Sequence, residues 1–68
     1  MWKRYLKNSV TEIRPYELGE DLSGITLSKE YPTQGDMICR DPNNPTDQWH
    51  ITADFFKSSY VLETNDDN

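Results

Sequence analysis

Cys39 and His50 are the one thiol and the one imidazole of the chain, so a nucleophile paired with a nitrogen base would have to come from them. Such a pair works only when both side chains share a face and touch, because the base must reach the proton it removes. One Cys and one His also fall short of the four ligands of a structural zinc site. Carboxylates occur in pairs at Glu20-Asp21, Asp41/Asp47 and Asp66-Asp67. Acid–base chemistry needs such a pair in a cleft that drives the two pKa values apart, and a chain of 68 residues has little volume for a cleft. Gly19, Gly24 and Gly35 are isolated, so no glycine-rich phosphate loop is present. Asn44-Pro45-Thr46 has proline at the forbidden middle position of a glycosylation site.

Whether Cys39 meets His50 depends on the elements that carry them. Residues 36–40 (DMICR) and 48–52 (QWHIT) both alternate, and the seven residues between them, DPNNPTD, favour turns. The pattern predicts a hairpin with a long loop that contains both prolines. Strand parity puts Met37, Cys39, Trp49 and Ile51 on the inner face and Ile38, Arg40, Gln48 and His50 on the other. Cys39 then reads as a buried structural cysteine and His50 as an exposed histidine, which argues against the dyad; a one-residue slip in register would put the two side by side. Asp41 and Asp47, at the mouths of the loop, are suited to side-chain to backbone bonds that fix it.

After the second strand, Thr52 fits an N-cap, Asp54 the first turn of a helix, and Ile51 with Phe56 the spacing of a hydrophobic staple. The helix should end near Tyr60, after which Val61 to Glu63 can form a closing strand or pack as an extended tail. Residues 2–14 read as a strand, an edge one bent near Asn8, with helix as the runner-up because Leu6, Val10 and Ile13 also fit helical spacing. Pro15 should end that element at Arg14. Ile25 to Leu27 fit a short strand within an otherwise loop-like 16–34. The fold class expected is α+β: a small, mostly antiparallel sheet of three to four short strands with one clear hairpin and one short C-terminal helix. A single domain spans 1–63, followed by an acidic tail at 64–68.

The aliphatic and Phe positions are few: Leu6, Val10, Ile13, Leu18, Leu22, Ile25, Leu27, Ile38, Ile51, Phe55, Phe56, Val61 and Leu62. At this size a chain buries only about 60% of its unfolded surface, so Trp2, Trp49 and the four tyrosines must supplement the core. A lone cysteine indicates a reducing compartment, and no apolar run reaches membrane-spanning length. The formal net charge is −5, divided into +3 over residues 1–14 and −8 over 15–68. An acidic body repels nucleic acid and membrane surfaces and attracts basic partners.

The block Gly35-Asp36-Met37-Ile38, Asp41-Pro42-Asn43-Asn44, Asp47-Gln48-Trp49, Phe55-Phe56 and Tyr60 resembles small accessory proteins of tailed bacteriophages and prophages. Lys3-Arg4-Tyr5 and Arg14-Pro15-Tyr16 resemble them more weakly. The likeness covers about half of the chain and transfers no catalytic residues. It implies a short phage gene expressed in the bacterial host cytoplasm. Together with the acidic body it leads to the expectation of a non-catalytic binding protein, without cofactor or metal, that inhibits or redirects a host protein with a basic surface. Glu17, Glu20, Asp21, Asp41, Asn43, Asn44 and Asp47 are the candidate contact residues. The alternative is a small oligomeric structural or assembly protein of the phage particle, with Trp2, Tyr5 or Tyr16 buried between copies.

Overall fold

Strands β1 (Lys3–Leu6), β2 (Val10–Pro15), β3 (Ile25–Thr26), β4 (Met37–Asp41) and β5 (Asn44–Ile51), helix α1 (Ala53–Ser59) and strand β6 (Val61–Leu62) follow one another along the computed structural model, which describes residues 1–63. The acidic tail expected at 64–68 lies outside the described residues. The strands form one sheet in the order β3-β5-β4-β2-β1-β6, antiparallel throughout except for the parallel pair β3/β5. The α+β class is as expected, but six strands replace the three to four anticipated.

The additional strands come from the first fourteen residues and from the closing segment. The bend near Asn8 is a full reversal: Leu6 pairs with Val10, and the Lys7 N–H bonds the Ser9 carbonyl across it at 3.3 Å. What reads as one bent edge strand is therefore a second hairpin, with β2 inside the sheet between β1 and β4. The β-branched Val10, Thr11 and Ile13 suit that interior place. The strand ends at Pro15 rather than Arg14, since Pro15 still pairs with Met37 in the terminal position where a missing N–H does no harm.

In the β4/β5 hairpin the expected register holds, with Met37 opposite Ile51, Ile38 opposite His50 and Cys39 opposite Trp49. Its loop differs from expectation. Asp41 pairs directly with Asn44, so the turn is short and β5 already begins at Asn44. Pro45, Thr46 and Asp47 have no counterpart on β4, and the register shifts between Arg40 and Asp41. Pro45 thus sits within a strand, in the irregular stretch where no ladder bond is asked of it.

Thr52 caps α1 as expected, its hydroxyl accepting from the Phe55 N–H at 3.3 Å. The helix ends when Tyr60 turns to extended geometry, with its N–H still bonded to the Phe56 carbonyl at 3.1 Å. Val61 and Leu62 then pair with Leu6 and Tyr5. On the helix side of the sheet the core is Ile13, Cys39 and Ile51, with Tyr5, Met37, Trp49, Phe56 and Tyr60 packed against it. Tyr5 meets Phe56 edge to face, with ring centroids 5.0 Å apart. Of the thirteen aliphatic and Phe positions, Ile13, Ile38 and Ile51 are buried, while Leu6, Leu18, Leu27, Phe55, Val61 and Leu62 remain exposed.

The opposite side of the sheet is also covered. Because β2 and β3 are separated by β4 and β5, residues 16–24 must cross two strands, and residues 27–36 return to β4. These segments shelter Ile38 (0% exposed), Tyr16 and His50 (3% exposed). His50 is therefore buried, contrary to the sequence expectation of an exposed histidine. Parity places it correctly on the face away from Cys39; the loops that fold over that face remove it from water.

Candidate functional site

His50 extends from β5 into a set of polar partners supplied by the two ends of the 27–36 loop. Its Nε2 lies 2.8 Å from the Asp36 Oδ2, and its Nδ1 lies 2.9 Å from the Ser28 Oγ. The Ser28 backbone N–H also donates to Nδ1, at 3.3 Å. A nitrogen that accepts from a backbone N–H carries no proton, so the ring proton sits on Nε2 and faces the carboxylate. Asp36 is fixed in turn by backbone donors: Thr33 N to Oδ2 and Ala53 N to Oδ1, each at 3.0 Å. Burial by itself would raise the Asp36 pKa, but the bonds from His50, Thr33 and Ala53 outweigh it and hold the carboxyl below the ordinary aspartate value. The result is a serine hydroxyl, an imidazole and a carboxylate joined in sequence, with the serine exposed. Next to it lies an open cavity of about 370 Å³ lined by Ser28, Lys29, Glu30, Thr52 and Asp54.

Further along the same face, Trp2 lies beneath two guanidinium groups, with Arg40 centred 4.3 Å and Arg14 5.2 Å from its ring. Each arginine also holds a carboxylate. Arg40 Nε bonds the cross-strand Glu12 at 2.6 Å, and Arg14 grips Glu20 with both terminal nitrogens, at 2.6 and 3.0 Å. Arg14 keeps the Glu20 pKa below its usual range. Arg4 is bonded to Glu63 at 2.7 Å, which clips β1 to the end of β6. Cys39 is sealed in the core, and burial pushes its thiol pKa up to about 12, so it is neither a nucleophile nor a ligand at ordinary pH. Among the described residues no group of three or more His, Cys, Asp or Glu is placed to hold a metal ion, and no helix is long and apolar enough to cross a membrane.

The candidate contact residues fall on two turns. Glu17, Glu20 and Asp21 lie in the crossover after β2, and Asp41, Asn43, Asn44 and Asp47 lie in and just after the β4/β5 turn. The crossover ends at Ile25, which pairs with Gln48, the neighbour of Asp47, whereas Glu17 stands at its other end, two residues after Pro15, which pairs with Met37. Glu20 is occupied by Arg14 and by the Glu17 N–H, at 2.9 Å. Asp21 accepts from the Ser23 N–H and Asp41 from the Asn43 N–H, both at 2.9 Å, which fixes the two turns in their shapes. The Ser23 bond keeps the Asp21 pKa below its ordinary value.

Sequence reasoning missed Ser28 and Asp36 because they stand 22 and 14 residues from His50 and form no motif with it. A signal was present nonetheless: Ile38 shares the supposedly outer face with His50, and a large aliphatic side chain there calls for a cover. Comparison with protein-family models, with curated proteins and with solved structures finds no match for this chain.

Proposed function

We propose that the chain is a binding protein of a tailed phage or prophage that docks an acidic edge onto a basic surface of a host protein in the bacterial cytoplasm, and so inhibits or redirects it. The supporting observation is how charge is partitioned. Arg4, Arg14 and Arg40 are each neutralised within the fold by Glu63, Glu20 and Glu12. Glu17, Asp21, Asp41 and Asp47 make no ion pair among the described residues. Unpaired negative charge is thereby left on the crossover and on the β4/β5 turn, as well as on Glu30 and Asp54. Turns already shaped by their own side-chain bonds lose little freedom on docking, which favours affinity. Glu20 acts within that surface, as the clamp on Arg14. Glu17, Asp21, Asp41, Asn43, Asn44 and Asp47 make the contacts.

The test is capture from bacterial lysate with the wild type and with a Glu17→Gln, Asp41→Asn, Asp47→Asn variant, which keeps the Asp41 turn acceptor as an amide oxygen. The wild type should retain a basic protein, less strongly as salt rises, and the variant should lose most of it. No partner at low or physiological salt, or equal retention by the variant, overturns the reading. The runner-up, an oligomeric structural or assembly protein, is favoured by one observation: Leu6, Phe55, Val61 and Leu62 are exposed where β6 forms the sheet edge. A clean monomer at high concentration in sedimentation removes that support.

A further inference from the structure

We propose that Ser28, His50 and Asp36 form an acyl-transfer site that takes the acyl group of a small carboxylic ester. Three geometric requirements of such a site are met together. The nucleophile touches its base, with Ser28 Oγ 2.9 Å from His50 Nδ1. The base is oriented through its other nitrogen, with Nε2 2.8 Å from Asp36 Oδ2. The orienting carboxylate is itself fixed, by the N–H groups of Thr33 and Ala53. The roles of Nδ1 and Nε2 are exchanged relative to the serine protease triad, and the function of each contact is unchanged. His50 is buried and held from both sides, whereas Ser28 is exposed and lines the adjacent cavity with Lys29, Glu30, Thr52 and Asp54. The adjoining cavity, about 370 Å³, is open to solvent.

The step balances without a further co-reactant. The Ser28 Oγ attacks the ester carbonyl carbon while its proton passes to His50 Nδ1, and Asp36 stays ionised against the imidazolium. The carbon–oxygen bond to the leaving group breaks, and the alcohol departs with the proton from Nδ1. Water then attacks the acylated Ser28, giving its proton to Nδ1, and the serine takes it back as the acid leaves. Ser28 and His50 are the catalytic residues and Asp36 a positioning residue. This site is independent of the binding role proposed above, since none of the three residues belongs to the acidic contact set.

The experiment treats the whole chain with a fluorophosphonate, which phosphonylates activated serines, and maps the adduct by mass spectrometry. Ser9, Ser23, Ser58 and Ser59 are controls within the same molecule. A base in place should label Ser28 at least about 100-fold faster than these, the lower end of what general-base assistance supplies. Ser28→Ala, which keeps the backbone N–H to Nδ1, should fold normally, carry no adduct and lose the 4-nitrophenol burst that the wild type gives with 4-nitrophenyl acetate. Asp36→Asn, assayed below its melting temperature, should label Ser28 at least tenfold more slowly, an effect that a purely structural Asp36 would not produce in molecules still folded. Labelling of Ser28 no faster than of the other serines overturns the proposal, as does a burst that survives Ser28→Ala.

Discussion

In Asp36→Asn one carboxylate oxygen becomes an NH₂ while the side-chain volume barely changes, so the variant tests hydrogen bonding without opening a cavity. Asp36 accepts from Ala53 N–H on one oxygen and from Thr33 N–H and His50 Nε2 on the other. Whichever way the amide turns, its NH₂ faces a backbone N–H, and at least one buried donor loses its acceptor, at about 1–3 kcal/mol. The surviving bonds drop from charged to neutral strength, which adds about 1 kcal/mol and brings the total to about 2–4 kcal/mol. A domain of this length holds about 3–10 kcal/mol in all. At about 4–8 °C per kcal/mol, the melting temperature should fall by about 10–30 °C. A pure net-charge argument gives the opposite sign, since the substitution removes one negative charge from a chain at −5. The assay is urea and thermal unfolding followed by circular dichroism at pH 7 and at pH 3. The folded pKa of Asp36 is depressed, so its stabilisation is complete above the unfolded value of about 3.9 and is lost as pH falls through the folded value. The gap between wild type and variant should therefore narrow on acidification. A gap under about 0.5 kcal/mol at pH 7, within the range of ordinary surface substitutions, refutes the reasoning, as does one that is the same at both pH values.

Ile38→Ala empties a fully buried site under the crossover and should cost about 2–5 kcal/mol in urea unfolding. Gly35→Ala has room for its Cβ, with Ala53 Cβ 4.0 Å away as the nearest atom, but φ of +100° leaves an L residue strained. It should destabilise by about 1–3 kcal/mol, and an unchanged melting temperature would show that the turn relaxes. Cys39, with a thiol pKa near 12, should resist iodoacetamide at pH 8 until urea opens the core. A double-mutant cycle on Arg14 and Glu20, a two-pronged and partly buried pair, should give a coupling of about 1 kcal/mol, larger than the cycle on the more exposed Arg4 and Glu63.

The parts of the fold that rest on local rules could be read from the sequence. The parity of residues 37–40 and 48–51 set the register of the central hairpin, and Thr52 with the Ile51/Phe56 spacing located the helix start. What could not be read depends on residues distant in sequence. The reversal at Lys7-Asn8-Ser9 carries no glycine or proline, so it looks like a bend. Asn44 to Asp47 have turn-forming residue types, yet they are extended: Asn44 pairs with Asp41 across a short turn, and residues 45–47 are taken up in the irregular stretch before Gln48. His50 looks exposed until the loops at 16–24 and 27–36 are folded over it. The Ser28–His50–Asp36 arrangement depends on the same loops, whose course over the sheet is set by packing against Ile38 and Tyr16 rather than by any short-range pattern.

The pairing of β1 with β6 joins residues 59 apart in sequence at the Arg4–Glu63 contact. As the chain emerges in order, the β1/β2 hairpin forms long before its outer partner exists, because a contact across so long a loop is slow to close. Through that interval β1 is a bare strand edge, the kind of surface that recruits other chains. Lys3 and Arg4 lie on that edge, and Lys7 adjoins it. Their charge is a guard against edge-to-edge association while folding is incomplete. The basic excess at the start of an otherwise acidic chain thus has a use before any partner arrives, until Val61 and Leu62 close the sheet.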